Sequence, residues 1–328
     1  MRFVCTVLFV HGCWSSTYAQ SYLYLTDRGA GQIIRANIDG SNIVTISNAP
    51  ASPRGITVDE SNRHIYWVDS GLDCVCRIDL DGGNFTTLVA GLDLPVGIAL
   101  DLTNNHIYWS DIGTDRIERA DLNGANVTTI VANVLNARDI ALDVNSGKMY
   151  WSDFDAAKVR RANLDGSSVE DLVTTGLTSI WGVALDLQNS MLYWSDHVPG
   201  ELHRGSLDGS GATTLLASPA VEQPRSIHLS NGKMYWASSS GKRVRRADVD
   251  GSNVETLIAS GLSDPHSVVA SSVFESSLPV ELGEFRAIPS GSAVHLMWTT
   301  LSETNNAGFE VQHLEAGQDD WRTLSFIS

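Results

Sequence analysis

From Leu23 to Ser271 the chain is built of short apolar runs separated by turns rich in Gly, Asp, Asn and Ser, with no sustained three-and-four spacing of the helical kind. The runs come in a fixed order. One kind ends in an aromatic pair and an acid: "LYLTD" (23–27), "IYWVD" (65–69), "IYWSD" (107–111), "MYWSD" (149–153), "LYWSD" (192–196) and "MYWAS" (234–238). The tyrosines fall at 24, 66, 108, 150, 193 and 235, so successive intervals are 42, 42, 42, 43 and 42 residues. A second motif keeps the same period: "NIDGSN" (37–42), "DLDGGN" (79–84), "DLNGAN" (121–126), "NLDGSS" (163–168), "SLDGSG" (206–211) and "DVDGSN" (248–253). Asp-Gly or Asn-Gly between apolar runs predicts a hairpin, because Gly accepts the positive φ such turns require. A third motif precedes the tyrosines: "PRGITVD" (53–59), "PVGIALD" (95–101), "ARDIALD" (137–143), "IWGVALD" (180–186) and "PRSIHLS" (224–230), each a short β-branched run after a turn residue.

One period therefore predicts four short strands in about 42 residues, which is the layout of a β-propeller blade. The phase adds a closure. Counting back from Tyr24 leaves the first blade without an innermost strand. A further copy of the third motif, "PHSVVAS" (265–271), has no Tyr-Trp after it. The expected ring has this C-terminal strand completing blade 1, which removes an exposed sheet edge.

Repeated Tyr-Trp-(Ser/Thr)-Asp at this spacing, each followed by a Leu-Asp-Gly-Ser type turn, resembles the YWTD propeller of the low-density-lipoprotein receptor family (class B repeats). "IYWSDIGTDRIERADLNGAN" (107–126) follows the pattern closely, and the likeness covers about three quarters of the chain. It implies an all-β, six-bladed propeller over 21–271. It also implies that Asp69, Asp111, Asp153 and Asp196 bridge strands by hydrogen bonds while Tyr and Trp pack between blades. Departures sit at the closure, where Leu25 replaces Trp and Ser238 replaces Asp.

Both ends differ from the repeat. Residues 1–20, with one early Arg, an apolar stretch and small residues near Ala19, have the layout of a secretory signal peptide. After a linker at 272–277, residues 278–328 alternate apolar and polar positions and predict three or four strands of an immunoglobulin-like sandwich. "LPVEL" (278–282) and "SETNNAGFEV" (302–311) resemble a fibronectin-III-like module of secreted Bacteroidetes-type proteins, a likeness that implies a type IX route to the outside or cell surface. Such a module is cut short at Ser328, so the chain reads as a fragment.

Composition narrows the function. Charged residues are 18% of the 328, yet the formal net charge is −16, which argues against nucleic acid as a partner. Nothing after residue 20 is a long enough apolar run for a transmembrane helix. With Cys5 and Cys13 in the leader, Cys74 and Cys76 are expected as free thiols.

The repeated acids point around a ring and cannot converge on one metal, so chemistry is expected where repeats differ. The residue after the Pro position is Arg54, Val96, Arg138, Trp181, Arg225 or His266; the one after the motif acid is Arg28, Ser70, Ile112, Phe154, His197 or Ser239. Arg54, Arg138, Trp181, Arg225, His266, Arg28, Phe154 and His197 thus make a basic and aromatic ligand-binding face, of the residue types that dominate binding hot spots. The next position is small in every blade but one, where Asp139 stands. It is a candidate cation ligand, or a partner for Arg138 or Arg225. No hydrolase elbow, zincin motif or phosphate loop is present, and no cofactor is expected. The leading expectation is a monomeric, secreted or cell-surface module that binds an extracellular protein or polysaccharide. The alternatives are a calcium-dependent hydrolase or lyase of the six-bladed class and a structural spacer.

Overall fold

The computed structural model describes residues 19–274 and four further strands, Glu281–Ser290, Ala293–Ser302, Phe309–His313 and Arg322–Ile327. These four form two separate antiparallel pairs in a unit distinct from Ser21–Val273. The expected leader lies almost wholly outside the described residues, and the fibronectin-III-like reading of 278–328 lies partly outside them. No helix of the described residues is long and apolar enough to cross a membrane.

Within Ser21–Val273 the strands form six four-stranded antiparallel sheets. In blade 2 the order from inside to outside is Pro53–Asp59, His64–Asp69, Cys74–Asp79 and Thr86–Ala90, and blades 3 to 6 repeat it. Blade 1 is made from both ends of the ring. Strand Pro265–Phe274 lies inside Ala19–Asp27, followed by Gln32–Asn37 and Val44–Ser47. The predicted closure is the observed one.

The aromatic pair explains why the sheets stack. Neighbouring side chains on a strand face opposite ways, so Tyr faces the following blade and Trp the preceding one. Tyr66 shares a cluster with Trp109, Tyr150 with Trp194, and Tyr193 with Trp236. Tyr24 of blade 1 meets Trp67 of blade 2. Across the closure Tyr235 meets Leu25, which fills the place of the missing Trp beside Leu23 and Val268. Burying a large aromatic removes 150–250 Å² from water, so these interfaces supply much of the driving force for ring formation.

The Asp-Gly motif sits in a longer connection than a two-residue hairpin. Strands Cys74–Asp79 and Thr86–Ala90 leave residues 80–85 between them. Two residues there take positive φ, Gly82 at 92° and Asn84 at 52°. A side chain on Gly82 would also meet the Ile46 carbonyl of the preceding blade at 2.6 Å. Glycine is needed both for its φ and for close blade packing.

Candidate functional site

The motif acids are bound up in holding loops. Asp69 accepts hydrogen bonds from the backbone amides of Ala51, Ser52 and Gly71, each at 2.9 Å, and Leu72 at 3.1 Å. Asp196 accepts from Thr178 (2.8 Å) and Ser179 (2.7 Å), and Asp111 from Asp93 (2.8 Å). Asp153 departs from this scheme, taking the amide of Ala156 (3.2 Å) and the Arg160 guanidinium (3.2 Å). At the closure Asp27 takes the amides of Ser263 (2.7 Å) and Asp264 (2.8 Å). Asp27, Asp69, Asp111 and Asp196 thus fix the loop that leads into the inner strand of their blade.

That loop delivers the variable residues through a feature absent from the sequence reading. In blade 2 Pro53 pairs with Asp69 and Ile56 with Trp67, so Arg54 and Gly55 oppose the single residue Val68. This is a β-bulge, which bends a strand and re-aims a side chain. The same shift places Val96-Gly97 opposite Ser110, Arg138-Asp139 opposite Ser152, Trp181-Gly182 opposite Ser195, and Arg225-Ser226 opposite Ala237. The motif serine supports the bulge: Ser110 Oγ accepts from Gly97 N (2.8 Å), Ser152 Oγ from Asp139 N (3.1 Å), and Ser195 Oγ from Gly182 N (2.6 Å). Except in blade 4, where it is Asp139, the second bulge residue is small because adjacent inner strands nearly touch. A Cβ on Gly97 would lie 2.8 Å from Asp139 Cα.

All eight expected face residues come together, though as a lopsided cluster and not an even ring. Trp181 is its centre. His197 stacks on it (centroids 4.8 Å apart, planes 26° apart), His266 lies at 5.6 Å, and Phe154 meets it edge-on at 6.3 Å. The Arg138 and Arg225 guanidiniums lie 4.8 and 5.1 Å from its ring centre, and Arg138 also covers Phe154 at 4.7 Å. Cation–π contacts of this kind contribute about 0.5–2 kcal/mol. Arg28 and Arg225 share the Asp264 carboxylate at 2.6 and 2.5 Å, and Arg54 Nε donates to Ser70 Oγ at 2.7 Å. Blade 3 contributes no charge at these positions, where it carries the apolar Val96 and Ile112.

Like charges dominate the cluster. Burial, then the guanidiniums of Arg28, Arg138 and Arg225, push Arg54 down to about 10. Burial, followed by the same three arginines and Arg54, holds His266 well below the ordinary imidazole range, so it is neutral. Burial likewise lowers His197, whose Nδ1–H donates to the Pro224 carbonyl at 3.3 Å. Among the described residues neither ring nitrogen of His266, nor Arg138 Nε, Arg225 Nε or Trp181 Nε1, has a hydrogen-bond partner.

The sequence reading missed Asp264, the one anion that organises two of the arginines. Its position was available as a signal, because it directly precedes Pro265 in the closing copy of the third motif. Asp139 is placed otherwise than expected. Its carboxylate accepts the amides of Ile140 (3.0 Å) and, across to blade 5, Val183 (3.1 Å), in place of a pairing with Arg138 or Arg225. Burial raises it to about 7, against the pull of those two amides. Among the described residues no three His, Cys, Asp or Glu side chains gather as a metal site. Cys74 and Cys76 are free and buried.

Comparison with known proteins bears on the architecture. Residues 105–144 match the low-density lipoprotein receptor repeat class B family. A structure of the nidogen/laminin complex superposes with TM-score 0.70 at 22% identity, over 76% of this chain and 98% of that one. The chain carries a class B repeat and folds as a six-bladed propeller. A streptogramin B lyase (TM-score 0.57, 14% identity, 78% of this chain and 93% of that one) shares the fold. So does virginiamycin B lyase from Staphylococcus aureus (0.54, 14%, 74% and 85%). No curated protein sequence matches the chain. At such identities the likeness extends to fold and no further.

Proposed function

We propose that this propeller is a binding module, secreted or at a cell surface, whose loop face engages an extracellular protein. The carrying observation is the convergence on Trp181 of cationic and aromatic side chains from several blades. Partly buried cationic and aromatic groups held together at the mouth of the channel are the makings of a binding hot spot. The nidogen/laminin structure, a complex between proteins, supports the same reading. In this reading residues 1–20 direct export and 278–328 begin a fibronectin-III-like module, with the propeller acting as a monomer.

The test is capture from the extracellular fraction of the native source. The Arg138→Ala, Trp181→Ala double variant loses the captured protein while keeping a cooperative thermal transition. Equal capture by the folded double variant overturns the assignment of the face.

A further inference from the structure

The channel mouth carries more positive charge than its own acids answer. Asp264 serves Arg28 and Arg225, one oxygen to each, at 2.6 and 2.5 Å. Arg54 has a neutral partner, the Ser70 hydroxyl, and Arg138 lies against two aromatic rings with its Nε unpaired among the described residues. Beside them His266 is 4% exposed with both ring nitrogens unpaired. Leaving such donors without a partner is unfavourable, and an anion bound among them would accept from the guanidiniums and from one imidazole N–H.

Building on the proposed binding face, we propose that this cluster receives the carboxylate of an Asp or Glu side chain presented by a protein partner, with Trp181 as the apolar wall of the pocket. Asp264 already shows that one carboxylate fits between two of these guanidiniums. Charge-assisted guanidinium–carboxylate bonds are the strong class of hydrogen bond, and among the described residues neither Arg54 nor Arg138 makes an ion pair, although Asp155 partly offsets the charge of Arg138. Two further observations favour a protein over a sulfated polysaccharide. The chain's formal charge is −16, so a long polyanion crossing its surface is repelled outside the pocket. On loops of the same face Leu72, Leu94, Leu135 and Val198 are exposed, which suits apolar residues flanking a single acid.

The experiment selects phage-displayed random peptides on the full chain, then measures the enriched peptides by calorimetry. The expected peptides carry an Asp or Glu beside apolar residues. Changing that acid to its amide weakens binding at least about tenfold. Against Arg54→Gln or Arg138→Gln the acid and amide peptides bind alike, and Arg54→Lys recovers part of the difference. Thermal melts confirm that each variant is folded. Enriched peptides with no acidic preference that still need Trp181 overturn the carboxylate assignment and leave the binding face standing. Peptides indifferent to Trp181→Ala sink both. A heparin oligosaccharide that binds more tightly and displaces the peptides overturns the protein assignment in favour of a sulfated glycan.

Discussion

Trp194 and Trp181 lie on adjacent strands of blade 5, yet their surroundings have little in common. Trp194 is 1% exposed, packed on Tyr150 and Leu192 with His203 stacked against it at 5.5 Å. Trp181 is half-exposed and lies beneath two guanidiniums and against two imidazoles. The same contrast runs through the polar groups. Asp69 and Asp196 are buried and saturated by backbone amides, while Arg138, Arg225 and His266 keep unpaired nitrogens beside like charges. The first set packs consistently between blades and adds stability, although its indole Nε1 groups also lack partners among the described residues. The other violates that consistency in one place, which is where real proteins concentrate binding and catalysis.

The sharpest break in this comparison comes from the tryptophans. Trp194→Ala is expected to lose about 3–5 kcal/mol through the cavity between blades, whereas Trp181→Ala loses only about 1–2 kcal/mol, chiefly its contacts with Arg138 and Arg225. Equal losses in chemical denaturation refute the division between framework and face.

Asp139 belongs to neither set, since it braces two blades from inside the channel. Its carboxyl, raised by burial to about 7, holds a proton in the folded state over a range where the unfolded chain has released it. Stability associated with it is therefore present near pH 4 and lost as pH rises through about 7. Asp139→Asn turns one of the two accepting oxygens into a donor facing an amide N–H, so it should lower stability by about 1–2 kcal/mol at pH 4 and by less, or not at all, at pH 8. A constant difference across that range contradicts the burial account.

The crowded arginines give a smaller effect of the opposite sign to that of Trp194. Arg54→Gln removes a cation that three neighbours disfavour and should raise the melting temperature at pH 7 by about 2–4 °C, the equivalent of about 1 kcal/mol. A lower melting temperature means that Arg54 is framework. The smallest expected effect concerns the departure in blade 6. There Ser238 Oγ is buried and unpaired among the described residues, and Arg245 pairs across strands with Trp236, as Arg160 does with Trp151 in blade 4. Ser238→Asp should recreate the Asp153–Arg160 contact and add about 0.5 kcal/mol. No gain, or a loss, shows that the Glu222 carboxylate near Arg245 already fills that role.

Several features of the framework could be read before any coordinates. The 42-residue period fixed which residues end the second strand of each blade, and the orphan "PHSVVAS" fixed where the ring closes. The face residues were legible too, because they are the positions where an otherwise regular repeat changes. Their arrangement was not. A bulge depends on how two strands pair, and nothing local in "PRG" or "IWG" announces that Arg54 or Trp181 opposes half a partner. Asp264 was missed because its importance lies in meeting Arg28, 236 residues away in sequence.

The sequence by itself determined the blade count and the strand order within a blade, since these follow from local alternation and repetition, while the packing of Tyr and Trp between blades was implied only by the family resemblance. Only the tertiary structure decided that four arginines, two histidines and a tryptophan share one corner of the channel mouth with a single organising carboxylate. Closing the ring converts positions spread over some 240 residues into neighbours, and the bulges, three of them held by a motif serine, turn their side chains toward one another. Periodicity is a property of the chain; convergence is a property of the closed circle.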